Sequence, residues 1–239
     1  MKSIKGVFLK QLYDFLRQPT ILISIILMPI LALLMSFIIE PYDEGVSVGL
    51  GVVIMFAPMF LAFGPISVAS NAIAEDIEYK RLRFLMMAGV KSWHYLAATI
   101  IFVMLISVVP ILIFGFIGGF GFTDFLIFFA AMIFGSLVSI IVGATIGLIS
   151  KSVQQAGSIT IGAGMLLGML PMLAAFNETF ANIAQFLFTY QIGEIMMPGA
   201  NILRAVLIIA ANTVVFFGLF VWAFARQGLK RVPACTQVK

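Results

Sequence analysis

Between Gly45 and Glu75 the chain runs from Val46 to Ala74 without one Asp, Glu, Lys, Arg or His, and similar runs of Phe, Ile, Leu, Val, Met, Ala and Gly recur along its 239 residues. At ~1.5 Å of rise per residue, a helical stretch of about 20 apolar residues crosses the ~30 Å hydrocarbon core of a bilayer. A water-facing exterior cannot be built around several such runs. Only 10% of residues are charged and 62% are hydrophobic, whereas soluble domains carry about 25% charged residues. The chain is therefore expected to be an all-α integral membrane protein.

Six runs are long enough to span. They are Thr20 to Ile39, Val46 to Ala74, Leu96 to Phe116, Phe125 to Ser150, Ala156 to Phe176 and Ile202 to Ala225. Pro19 suits the first turn of the first run, while Pro29, Pro58, Pro65 and Pro110 lie where each removes a helical hydrogen bond and predicts a kink. No A-x-A site follows the first run, which predicts an uncleaved span rather than a signal peptide. Ahead of it, residues 1–18 place Ile4, Val7, Phe8, Leu12, Phe15 and Leu16 at helical spacing among basic side chains, the pattern of a helix lying in the headgroup plane. Residues 177–201 are interrupted by Asn177, Glu178, Asn182, Gln185, Gln191, Glu194, Pro198 and Gly199, so two short interfacial or re-entrant helices are expected there. A basic tail, residues 226–239, closes the chain.

The largest hydrophilic stretch is an island, Glu75 to Tyr95, that holds seven of the 24 charged residues: Glu75, Asp76, Glu78, Lys80, Arg81, Arg83 and Lys91. If residues 77–88 are helical, Ile77, Phe84, Leu85 and Ala88 share one face and the cations spread over the rest, a segment suited to docking on a soluble partner. With six spans and the N-terminus inside, 13 of the 14 Lys and Arg residues fall in cytoplasmic segments and only Arg204 lies outside. The positive-inside tendency thus predicts a multi-pass protein of the cell membrane with both termini cytoplasmic. It also explains the net charge of +4 without nucleic acid.

The spans offer no ionisable residue at mid-membrane depth. A charge there costs at least ~2.5–3.5 kcal/mol on insertion scales, and ion-coupled carriers accept that cost because a carboxylate must bind the ion. Its absence disfavours ion-coupled transport. Energy is expected from outside the chain, which itself lacks the G-x-x-x-x-G-K-[ST] phosphate loop. One His and one Cys cannot form a metal or nucleophile cluster. Gly143-Ala-Thr-Ile-Gly147 and Gly164-Met-Leu-Leu-Gly168 are close-approach patterns that serve either internal packing or a subunit interface. Met55, Phe56, Met59, Phe60, Met165, Met169 and Met172 suit an apolar substrate path as well as ordinary packing.

An interfacial helix, six spans, a charged loop between the second and third, and an interrupted segment before the last together resemble the permease subunits of type-2 ABC transporters, over essentially the whole chain. The likeness is sharpest at Ala74 to Leu96, with Arg81-Leu82 standing near where the family's loop has Gly-Thr. The resemblance implies an all-helical permease of an ATP-driven exporter, with substrate moving along a path shared with a second permease copy or paralogue. It implies that ATP and Mg are bound by a separate ABC ATPase. Residues 75–94 would form the coupling loop that inserts into that ATPase, with Glu78, Lys80, Arg81, Arg83, Phe84 and Leu85 transmitting its closure, and Lys10, Asp14 and Arg17 flanking the contact. Glu178 and Glu194 would stand near an outer exit, a place that simple surface solvation explains equally well. The competing class is a channel, facilitator or membrane scaffold that needs no ATPase.

Overall fold

A computed structural model describes residues 19–39, 47–81, 92–174, 176–197 and 199–229. All regular secondary structure among them is helical: α1 (Pro19–Ile38), α2 (Val48–Glu78), α3 (Ser92–Gly118), α4 (Phe122–Ile149), α5 (Val153–Ala174), α6 (Glu178–Ala184), α7 (Phe188–Ile195) and α8 (Ile202–Leu229). Five of these, α2, α3, α4, α5 and α8, are long and apolar enough to cross a membrane. The 20 residues of α1 reach ~30 Å at the helical rise, matching a bilayer core. The chain is an all-α integral membrane protein. The segment before the last span forms the two short helices α6 and α7, because its polar interruptions leave neither piece long enough to span. Residues 1–18, with Lys10, Asp14 and Arg17, lie outside the described residues, as do Arg83, Phe84 and Leu85 of the island and the tail from 230.

Helix α2 is the axis of the molecule and packs against α1, α3, α4, α5 and α7. Its buried face includes Val53, Ala57, Phe60, Leu61, Ala62, Ile66, Ala69 and Ile73. Phe60 meets Phe114 of α3 with ring centroids 5.7 Å apart, so Phe60 belongs to the core rather than to an open path. The four glycines of the two close-approach patterns all face α2. An added Cβ at Gly143 would land on the Ile66 carbonyl oxygen, and one at Gly147 would come 2.7 Å from the Ser70 carbonyl oxygen. Gly164 sits under Phe63, and Gly168 lies against Ala62 and the Met59 backbone. In lipid, where no hydrophobic force draws helices together, such backbone approach supplies the dispersion contacts that do. Both patterns serve internal packing.

Helical structure continues through Pro29, Pro58, Pro65, Pro110 and Pro171. Membrane helices tolerate this because neighbouring elements compensate the freed carbonyls. Pro58 frees the Ile54 carbonyl, and Gly193 of α7 is the residue that approaches there: its added Cβ would lie 3.7 Å from that oxygen. Two buried hydrogen bonds from hydroxyls tie pairs of helices. Ser70 of α2 and Thr160 of α5 share a hydrogen bond of 2.8 Å, and Thr189 of α7 donates to the Leu167 carbonyl of α5 at 2.6 Å.

Helix boundaries depart from the apolar runs in one consequential place. The second span does not stop at Ala74. It continues as helix through Glu75, Asp76, Ile77 and Glu78, so the island begins as the last turn of α2 and not as a separate helix opening at Ile77. Charge did not end the helix because 31 residues reach roughly 46 Å, well beyond the hydrocarbon core, and the final turn is free to be polar.

Candidate functional site

The end of α2 that carries the island is built from local rules. Three acidic residues, Glu75, Asp76 and Glu78, crowd its last turn, where the helix dipole disfavours negative charge. Arg81 answers one of them: its Nη1 donates to Glu75 Oε1 at 2.9 Å, and the guanidinium lies 4.9 Å from the centroid of the Tyr79 ring. This fold-back is made possible at Lys80, whose φ of 58° is left-handed and ends the helix. A non-glycine residue rarely adopts that conformation, at a cost of about 1–2 kcal/mol.

Glu78 is answered by another helix. Its Oε2 accepts a hydrogen bond of 2.8 Å from the Val153 backbone N–H, at the first residue of α5, where an orphan donor and the positive end of the dipole both favour a carboxylate. The turn that receives it is itself capped: Ser152 Oγ accepts from Gln155 N at 3.2 Å and Gln155 Oε1 accepts from Lys151 N at 2.8 Å, a near relative of the capping box. The α2 terminus is therefore fastened to the only other turn on that end among the described residues. Of the residues marked in the sequence, Glu78 and Arg81 are held in this cluster with Glu75, while Lys80 is exposed and acts on the path of the backbone.

The opposite end carries a polar cavity of about 340 Å³ between α6, α7 and the start of α8, lined by Gln185, Tyr190, Glu194, Asn201 and Arg204. Arg204 Nη2 donates to Gln185 Oε1 at 2.7 Å, and Asn201 Oδ1 accepts from the Arg204 backbone N–H at 3.1 Å. The Tyr190 phenol is pushed above its ordinary pKa by burial and then by the nearby Glu194 carboxylate, with Arg204 acting in the opposite sense. Asn212 of α8 donates to the Phe186 carbonyl at 2.8 Å, so α8 and the α6–α7 pair are joined twice. The two carboxylates marked as near an outer exit separate here. Glu194 lines this cavity, and Glu178, exposed in the first turn of α6, does not. Beside it a second cavity of about 430 Å³, lined by Leu50, Phe128, Ile195 and Asp124 among others, shares Met197, Gly199 and Ala200 with the first.

Sequence reasoning missed Ser70, Thr160, Thr189 and Asn212. The available signal was a lone hydroxyl or amide inside an apolar span, the residue type that joins membrane helices.

Among curated proteins the chain finds no match. A family model described as ABC-2 family transporter protein matches residues 38–222, which takes in all of α2 to α7, most of α8 and both ends of the bundle. With well over half of its length matched and its helices arranged as membrane spans, the chain belongs to the ABC-2 family as a transporter permease.

Proposed function

We propose that this chain is the membrane-spanning subunit of an ATP-driven exporter, working with a second permease copy or paralogue and with separate ABC ATPase subunits that bind ATP and Mg. The observation that carries this reading is mechanical. Helix α2 runs unbroken from Val48 to Glu78, is wedged by glycines against α4 and α5, and at its foot grips the first turn of α5 through Glu78. A push delivered to residues 75–94 reaches two spans at once. The basic residues of this end favour a cytoplasmic position, where an ATPase would meet it, with Arg83, Phe84 and Leu85 on the docking segment and Lys10, Asp14 and Arg17 beside it. ATP binding across an ATPase pair supplies the differential affinity needed to shift a two-state bundle.

A second copy is supported by α5, the least apolar of the five long spans. One side of it leaves Gln154, Ser158, Ile161, Gly162, Met165 and Met169 exposed, a stripe with period near 3.6. An added Cβ at Gly157 or Gly162 would meet nothing within 4 Å. Polar side chains and bare glycine suit a protein partner and a shared substrate path better than acyl chains.

The test is affinity purification of the tagged protein in mild detergent, with mass spectrometry and an ATPase assay of the eluate. Recovery of a P-loop ATPase, lost in an Arg81→Glu/Arg83→Glu variant that still inserts, is the expected result. A preparation from native membranes with no ATPase activity would return the chain to the channel or scaffold class.

A further inference from the structure

Arg204 stands against two physical preferences. It is the one cation of 14 that a six-span chain leaves on the outer side, and it occupies the first turn of α8, where the dipole repels positive charge. No carboxylate among the described residues relieves it. Glu194 lines the same cavity, yet the one ion pair found among the described residues joins Arg81 to Glu75. The guanidinium is instead oriented by the neutral Gln185 oxygen, and Glu194 lines the same cavity beside Tyr190. Opposite charges thus line one cavity of about 340 Å³ without pairing with each other. Next to Arg204 on α8, Leu203 and Leu207 are 71% and 62% exposed, an apolar strip at helical spacing beside it.

The geometry points to a binding site for the headgroup of an amine-bearing phospholipid, the phosphate on Arg204, the ammonium toward Glu194 and Tyr190, and the acyl chains along Leu203 and Leu207. A guanidinium gives a phosphate two parallel N–H donors, and the ammonium offers three donors to the carboxylate. The phosphate also supplies the anion that the start of α8 lacks. The site is independent of ATPase coupling, which acts at the other end of the bundle.

The test uses the full-length protein in detergent, titrated with dioctanoyl phosphatidylethanolamine, dioctanoyl phosphatidylglycerol and free phosphoethanolamine, with bound lipid counted by native mass spectrometry and folding followed by size exclusion. Phosphatidylethanolamine is expected to bind the native protein and to bind Arg204→Gln roughly tenfold or more weakly, the scale of a lost charge-assisted hydrogen bond. Glu194→Gln should weaken phosphatidylethanolamine while leaving phosphatidylglycerol, which has no amine, as it was. Equal loss of both lipids in Glu194→Gln overturns the assignment of the ammonium. Free phosphoethanolamine binding as tightly as the lipid overturns the lipid as ligand. If Arg204→Gln aggregates, Arg204→Lys keeps the charge without the paired donors. Unchanged phosphatidylethanolamine affinity in both Arg204→Lys and Glu194→Gln then overturns the site.

Discussion

At the scale of single residues, this molecule is held by a few polar contacts whose partners are far apart in the chain. Ser70 and Thr160 are both buried and 90 positions apart. Interhelical hydrogen bonds in membranes average ~0.6 kcal/mol and reach ~1.7 kcal/mol, so a Ser70→Ala/Thr160→Val double-mutant cycle, read by thermal unfolding in detergent, should return a coupling within that range. A coupling near zero would mean that the Ser67 carbonyl, which also accepts from Ser70 at 3.2 Å, satisfies the hydroxyl alone. Glu78→Ala should cost about 1 kcal/mol, the usual scale of a lost helix cap. Because that cap joins two spans, transport should fall further than the thermal stability does, and parallel losses in both assays would count against a transmitting role.

Among elements, the sharp distinction lies between glycines that face α2 and glycines that face outward. Gly143→Leu must displace the Ile66 carbonyl, and overpacking of this kind typically costs 1–3 kcal/mol or more. Gly162→Leu meets open space in the single chain. It should leave the melting temperature of the monomer unchanged yet weaken a paired assembly, as cross-linking in native membranes would report. The spans were legible in sequence because span length is a threshold that Val46 to Ala74 clears without ambiguity. The foot of α2 was not, since Glu75 to Glu78 read as loop by charge and become helix by continuation past the hydrocarbon. The α6–α7 pair was legible as short helices from its polar interruptions. Its polar cavity was hidden, because Gln185, Glu194 and Arg204 meet only when the chain turns back at Gly199, whose φ is +81°.

Viewed whole, the bundle is centred on α2, and its last helix is the most exposed of the long spans. Helix α2 and its neighbours α3, α4 and α5 share one continuous core that includes Leu61, Phe102, Phe114 and Met132. Helix α8 adds Ala205 and Ile209 to that core, yet it is the least buried of the five long spans and packs on α4 and α7 alone among the stronger contacts. That imbalance bears on how the protein is made. The chain leaves the ribosome from its N-terminus, so everything that packs around α2 is in the bilayer before α8 emerges. A chain stopped before Ile202 should therefore assemble a protease-resistant body in microsomes, with the last helix added as a finishing step and not as a condition for the rest.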